Sequence, residues 1–198
     1  MSLRIIQGKA TSTARALPEE SSWIAAAKEG DRQAFQQLYE QYCDRVYNLI
    51  YYSLKESEQA EDILQSVFLK VFQALPLFRE DSSFLTWIYR VTLNECKNAK
   101  RRRRFWLPLS EIFEKPEEKD PHPLPDVVHT SNLQLLDLRR ALVKLKPKYR
   151  EVVMLKYFEE LSYEEVASIL GISMGTVASR LHRAMQFLES QLTDRRRL

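Results

Sequence analysis

The chain has 198 residues and a net charge of +3, from 30 lysines and arginines against 27 aspartates and glutamates. Hydrophobic residues make up 44% of it and charged residues 29%, which is typical of a folded globular protein rather than a disordered or membrane protein. No apolar run approaches the roughly 20 residues of a membrane helix, and no secretion signal opens the chain. These features predict a cytoplasmic protein with no membrane insertion.

Apolar residues in the first half repeat at three- and four-residue spacing, which is the period of a helix. One stripe begins at Phe35, a second runs from Ile63 to Leu75 and ends at Pro76, and a third begins at Phe84. Helices that pack through these stripes would form a bundle, so we predict a first domain over residues 20–106. A flexible N-terminal segment, 1–19, is expected before it.

The charge is unevenly distributed along the chain. Residues 90–104 carry seven basic side chains against the single acid Glu95. Residues 110–130 then contain four of the eight prolines, six acids and two lysines. Because proline disfavours helix in the residue before it, we expect an extended, acidic linker over 107–131.

The second domain is predicted over residues 132–193, followed by a basic tail, 194–198. Leucines at helical spacing begin it, and Pro147 is typical of the first turn of the next helix. Ser162 and Glu165 form a capping-box pattern that starts a short helix, and Gly171 is suited to ending it in a left-handed conformation.

A further helix should begin at Ser173. Its inward face is Val177, Leu181, Ala184 and Leu188, and its outward face is Ser179, Arg180, His182, Arg183 and Gln186. Helix, glycine turn and basic helix together favour a DNA-binding helix-turn-helix, although an ordinary helical hairpin has the same spacing. Gly175, in the first turn, would let another helix or a DNA backbone approach closely.

The sequence contains no pattern of an enzyme or a metal site. Cys43 and Cys96 are far apart and are interpreted as core thiols. Two of the three histidines, His122 and His129, lie in the linker, and no phosphate-binding glycine loop occurs. We expect no catalytic residue, metal, cofactor or small-molecule substrate.

Two blocks of sequence resemble a known family. "LKPKYREVVMLKYFEELSYEEVASILGISMGTVASRLHRAM" resembles region 4 of bacterial sigma-70 family sigma factors, in the extracytoplasmic-function (ECF) branch. "GDRQAFQQLYEQYCDRVYNLI", "EQAEDILQSVFLKVFQAL" and "SSFLTWIYRVTLNECKNAKRRRR" resemble successive parts of region 2. The resemblance covers about residues 25–192 and implies an all-α fold of two small domains joined by the proline-rich acidic linker.

The resemblance implies a subunit that binds core RNA polymerase, at the β′ clamp helices and the β flap, and recognises promoter DNA. It also implies an anti-sigma factor as a partner. The residues at the family's polymerase-binding positions are Asp62, Gln65 and Phe68. Those at the −10 positions are Phe84, Trp87, Tyr89, Asn94, Lys97, Lys100, Arg101, Arg102, Arg103 and Arg104. Those at the −35 positions are Thr176, Ser179, Arg180, His182 and Arg183.

The sequence departs from the common family pattern in three places. Ala178 replaces a usual basic residue, Asn98 a frequent aspartate, and Thr92 with Leu93 a small residue and a basic one. These departures bear on which promoter sequence is recognised.

The main alternative is a dimeric helix-turn-helix regulator with an N-terminal helical sensor domain. Such regulators bind palindromic half-sites about one helical turn apart. That alternative gives no account of the resemblance to region 2.

Overall fold

The computed structural model describes residues 19–55, 57–106 and 132–194, and every regular element in these ranges is helical. The predicted linker, all but the last residue of the predicted N-terminal segment, and all but the first residue of the predicted basic tail lie outside the described residues. An all-α fold is therefore confirmed for the part of the chain that is described.

The first domain is a bundle of four helices. They are α1 (Glu20–Lys28), α2 (Arg32–Leu54), α3 (Ser57–Ala74) and α4 (Phe84–Trp106). The Asp31 carboxylate caps α2 by accepting from the backbone N–H groups of Gln33 at 2.8 Å and Ala34 at 3.3 Å. The predicted stripes line the core, and a 3-10 turn at Leu75–Leu77 follows α3 where Pro76 prevents its continuation.

The second domain contains α5 (Asn132–Lys144), α6 (Pro147–Val153), a π-helical turn (Met154–Phe158), α7 (Tyr163–Leu170) and α8 (Met174–Asp194). The predicted capping box is present, with the Ser162 hydroxyl and the Glu165 carboxylate each accepting from the other's backbone N–H. Gly171 has a φ of +66°, the left-handed conformation that ends α7. The helix-turn-helix geometry is thus confirmed.

One local expectation is narrowed and another is corrected. A side chain at Gly175 would meet only the Ser173 hydroxyl, at 4.0 Å, so no other helix among the described residues approaches this glycine, and the approach of a DNA backbone stays a prediction. Both cysteines are free, but only Cys96 is a core thiol, with a pKa raised to about 12 mainly by burial. Cys43 is half-buried because it lies at the margin of α2's apolar stripe.

The two domains pack against each other, α6 on α2 and α7 on α4. Arg150 of α6 is completely buried at this contact. Its guanidinium donates to the carbonyl of Leu145 at 2.6 Å and to that of Tyr52 near the C-terminal end of α2. Because the last carbonyls of a helix have no partner within it and carry partial negative charge, a buried cation is favourable there.

Candidate polymerase and promoter interfaces

The outward face of α3 combines polar and apolar side chains. Asp62 and Gln65 are both exposed, as expected, while Ile63 is buried beneath them. The same face continues, at helical spacing, with Leu69, which is 59% exposed, and Phe72, which is 40% exposed. Exposed apolar side chains beside polar ones on one helix face are typical of a site that contacts another protein.

Phe68 does not lie on that surface. It is 5% exposed, because its ring packs edge-on against Tyr39 of α2 with ring centroids 4.6 Å apart. Tyr39 itself is 40% exposed, and the rings of Phe35 and Phe72 pack edge-on at 5.0 Å beside it. Phe68 is therefore a core residue between α2 and α3. The exposed apolar residues on and beside this face of α3, which sequence reasoning missed, are Tyr39, Leu69 and Phe72.

The aromatic residues predicted to contact the −10 element are mostly covered. Phe84 is a core residue, packed between Tyr42 and Phe78, so its assignment to a DNA contact does not fit this arrangement. Trp87 is half-buried against Phe78, with ring centroids 4.9 Å apart. Tyr89 is also inaccessible to DNA, because it is fully buried against the second domain and donates to Glu159.

The polar residues of α4 form a basic surface. Asn94, Lys97, Arg101 and Arg102 are exposed, and the side chains of Arg103 and Arg104 lie outside the described residues. Lys100 is half-buried, and burial lowers its pKa. A helix end that presents several cations to solvent is suited to phosphate contacts.

Two of the three departures from the family pattern have structural roles. The buried Thr92 hydroxyl donates to the Ile88 carbonyl at 2.8 Å, and Leu93 lies in the core. Asn98 donates to the Glu95 carboxylate at 3.2 Å. These residues are therefore held by the fold of the first domain, whereas Ala178 is exposed on α8.

The helix α8 is positioned by its cap and its buried face. The Ser173 hydroxyl accepts from the Thr176 backbone N–H at 3.2 Å and also hydrogen-bonds the Thr176 hydroxyl at 2.9 Å. The predicted inward residues are all buried, namely Val177, Leu181, Ala184 and Leu188. Because this face is fixed on the core, the opposite face of α8 points to solvent.

The predicted −35 residues differ in how far they are available. Ser179, His182 and Arg183 are exposed, whereas Thr176 and Arg180 are half-buried. The Ser179 hydroxyl donates to the Thr176 carbonyl at 3.0 Å and is therefore engaged with its own helix. Arg183 lies close enough to Tyr149 of α6 to lower the pKa of that phenol.

The described ranges hold no group of three or more histidine, cysteine or acidic side chains that could bind a metal ion. Among the helices of the same ranges, none has the length and apolar character to cross a membrane.

Comparison with known proteins matches both domains. The model of the family "Sigma-70 region 2" matches residues 38–105, and that of "Sigma-70, region 4" matches residues 135–188. RNA polymerase sigma-H factor of Pseudomonas aeruginosa is 30% identical over 88% of this chain and 94% of its own. ECF RNA polymerase sigma factor SigE of Mycolicibacterium smegmatis is 35% identical over 87% of this chain and 72% of its own. ECF RNA polymerase sigma factor SigW of Bacillus subtilis is 32% identical over 86% of this chain and 95% of its own.

Two solved structures share the fold. CnrH, in complex with the cytosolic domain of CnrY, matches with a TM-score of 0.64 and 23% identity over 88% of this chain and 97% of its own. RpoE of Bartonella quintana, in complex with the anti-sigma factor NepR, matches with a TM-score of 0.66 and 24% identity. The match covers 80% of this chain and 96% of RpoE. With both regions matched in order and full-length relatives at 30% identity or more, the chain belongs to the ECF branch of the sigma-70 family of RNA polymerase sigma factors.

Proposed function

We propose that the chain is a non-catalytic specificity subunit that binds core RNA polymerase and directs it to promoters through −10 and −35 elements. The proposal is supported by the presence of two exposed surfaces on one chain. One is the exposed face of α3, and the other is the exposed face of the helix-turn-helix. A polymerase contact without DNA readout, or the reverse, would not confer promoter specificity. We further propose that it acts in the cytoplasm, where bacterial polymerase and DNA are found.

The α3 surface suits a helical partner such as the β′ clamp helices. Asp62 and Gln65 offer acceptors and donors at one end, and Leu69 and Phe72 offer apolar contact one to two turns away. Interfaces of this kind gain their free energy from a few apolar anchors and gain orientation from the polar groups beside them. We assign core binding to this surface, and contact with the β flap to the second domain.

The −35 element is assigned to α8. Ser179, His182 and Arg183 lie on the exposed side of a helix whose other side is fixed in the core. The second helix of a helix-turn-helix enters the major groove, where an arginine can donate two hydrogen bonds to guanine.

The arginines at 101–104 are proposed to grip phosphates beside the −10 element. Changing all four to glutamine should lower promoter affinity broadly, since each lost phosphate contact reduces the slope of log affinity against log salt by about 0.9. Sequence preference should barely change, because phosphates carry no base identity. Titrations of the polymerase-bound chain at several salt concentrations measure this slope. An unchanged slope would show that the arginines contact only solvent.

An anti-sigma factor is proposed as the regulator. CnrH and RpoE were solved as complexes, with the cytosolic domain of CnrY and with NepR, and both share the fold of this chain. A regulator of this class would have to cover the α3 surface, the α8 surface or both to prevent initiation.

Gel filtration distinguishes the proposed function from that of a dimeric regulator. A specificity subunit is expected to elute as a monomer and to shift into the polymerase peak when core enzyme is added. A dimeric regulator would elute as a dimer, bind a palindromic duplex without polymerase and leave the polymerase peak unchanged, and that result would reject the proposal.

A further inference from the structure

The exposed face of the helix α8 changes in chemistry along its length. Over residues 174–187 its exposed side chains are, in chain order, Met174, Ala178, Ser179, His182, Arg183 and Gln186. Imidazole, guanidinium and amide groups occupy the third and fourth turns, and such groups hydrogen-bond with base edges. The first two turns carry a thioether, a methyl group and one hydroxyl. The two halves of this face are therefore suited to different features of the major groove.

An apolar pair occupies the first two turns. Met174 is 51% exposed, and Ala178, four residues later, lies on the same side of the helix. The hydroxyl of Ser179 donates to the Thr176 carbonyl at 3.0 Å, so its proton is already used within α8. The Met174–Ala178 pair thus presents apolar groups to a ligand that lies along this part of the helix.

Small residues allow a ligand to come close to the same two turns. Gly175 has no side chain, and the space that a side chain would take there has only the Ser173 hydroxyl near it, at 4.0 Å. Ala178 has the shortest side chain of the exposed face. Val177, its neighbour, is completely buried and fixes the helix on the core. The methyl group of Ala178 can therefore reach a base edge when α8 lies in the major groove.

Only one of the four standard bases suits an apolar pair in that groove. Thymine presents its 5-methyl group there, next to hydrogen-bonding atoms, whereas the other bases are read by their donors and acceptors. A donor or acceptor covered by the Met174–Ala178 pair would lose water without gaining a hydrogen bond, which costs free energy. A thymine methyl group covered by the pair would leave water, which is favourable. The pair therefore selects for thymine.

The distance of the pair from Arg183 predicts where this thymine lies. At a rise of about 1.5 Å per residue, Arg183 is separated along the helix axis from Ala178 by about 7.5 Å and from Met174 by about 13.5 Å. Neighbouring base pairs are about 3.4 Å apart along the duplex. The thymine should therefore lie about two to four base pairs from the base that Arg183 contacts.

We propose that Met174 and Ala178 recognise the 5-methyl group of a thymine in the −35 element, about two to four base pairs from the guanine assigned to Arg183. The inference rests on the proposed function and adds the base that this part of the element must contain. Ala178 stands where the common family pattern has a basic residue, so this chain has a methyl contact in place of a charged one. Its preferred −35 sequence should differ accordingly from those of relatives with a basic residue there.

The test measures the contribution of a single methyl group. Selection from a randomised −35 library first gives the preferred −35 sequence of the full chain bound to core polymerase. Each thymine of that sequence is then replaced in turn by deoxyuridine, which lacks only the 5-methyl group. Promoter affinity of the wild type should fall about fourfold at one or two positions, the effect of one buried methyl group. At those positions a pair of 5-methylcytosine with guanine should bind better than cytosine with guanine by a similar factor.

Two variants link the effect to the pair. In Met174→Gln and in Ala178→Gly, the loss caused by deoxyuridine at those positions should shrink to about twofold or less, because the methyl group loses one of its two apolar partners. Ala25→Gly makes the same change as Ala178→Gly at an exposed position of α1, and it should keep the fourfold loss. Each comparison is a ratio within one variant, so a general loss of stability or affinity cancels.

The outcomes separate this inference from the proposed function. A preferred −35 sequence with no thymine in the predicted range, or with no position at which deoxyuridine lowers affinity, would overturn the inference and leave the proposed function standing. A methyl effect of full size in both variants would also overturn it, because another residue would then contact the thymine. A library that returns no −35 preference would reject the −35 assignment itself, and the inference with it.

Discussion

Replacing Asp62 and Gln65 together with alanine is expected to weaken binding to core RNA polymerase by roughly 30- to 900-fold. This corresponds to about 2–4 kcal/mol, the loss on truncating central polar residues of a protein interface. Both side chains are exposed on α3 and neither contributes to the apolar core, so the fold should be retained. Fluorescence anisotropy of the labelled chain with increasing core enzyme measures the dissociation constant.

The matched control is Gln41→Ala with Asp44→Ala, which removes a glutamine and an acid, at the same spacing of three residues, from exposed positions on α2. Its polymerase affinity should stay within about twofold of the wild type, as surface changes outside an interface usually do. If the α3 variant bound core enzyme as tightly as this control, the polymerase contact would have to lie elsewhere.

Replacing Arg183 with alanine is expected to relax the preference for one base pair of the −35 element by about 1–3 kcal/mol, or roughly 5- to 160-fold. Arg183 is exposed on α8 and has the paired donors that read a guanine, while Val177 and Leu181 keep the helix in place. Selection from a randomised −35 library joined to a fixed −10 element measures the preference at each position.

The control for that selection is Arg140→Ala, which removes the same charge from an exposed site on α5. It should return the wild-type −35 preference with slightly lower overall affinity. An Arg183→Ala chain with an unaltered preference at every position would mean that another face of the second domain reads the element.

The helix-turn-helix was predictable because its signals are local. The capping box joins Ser162 to Glu165, Gly171 alone sets the left-handed end of α7, and Ser173 caps α8 within three residues. Each signal depends on backbone hydrogen bonds between near neighbours, so the residue types at fixed spacing are sufficient to identify it.

The contact between the domains was not predictable for the opposite reason. Glu159 lies 114 residues from Arg45 and 70 from Tyr89, and Arg150 lies 98 residues from Tyr52. No spacing rule links side chains so far apart, and each of these residues is of a type usually found at the surface or at its edge. The burial of Tyr89 follows from this contact.

The same limit explains why Phe84 and Phe68 are buried although both stand at family contact positions. Aromatic residues at family contact positions can face either DNA and protein partners or the core, and the choice depends on neighbouring helices. Phe84 packs on Tyr42 and Phe68 packs on Tyr39, both from α2. Apolar periodicity alone favours the core for both residues, and in this fold that reading is correct.

Run-off transcription tests the central claim most directly. Bacterial core polymerase is incubated with the chain and a library of genomic fragments, and the transcripts are sequenced at their 5′ ends. The account predicts discrete start sites that require the chain, share upstream −10 and −35 motifs and disappear with the Asp62→Ala, Gln65→Ala variant. Start sites identical to those of core enzyme alone would contradict it.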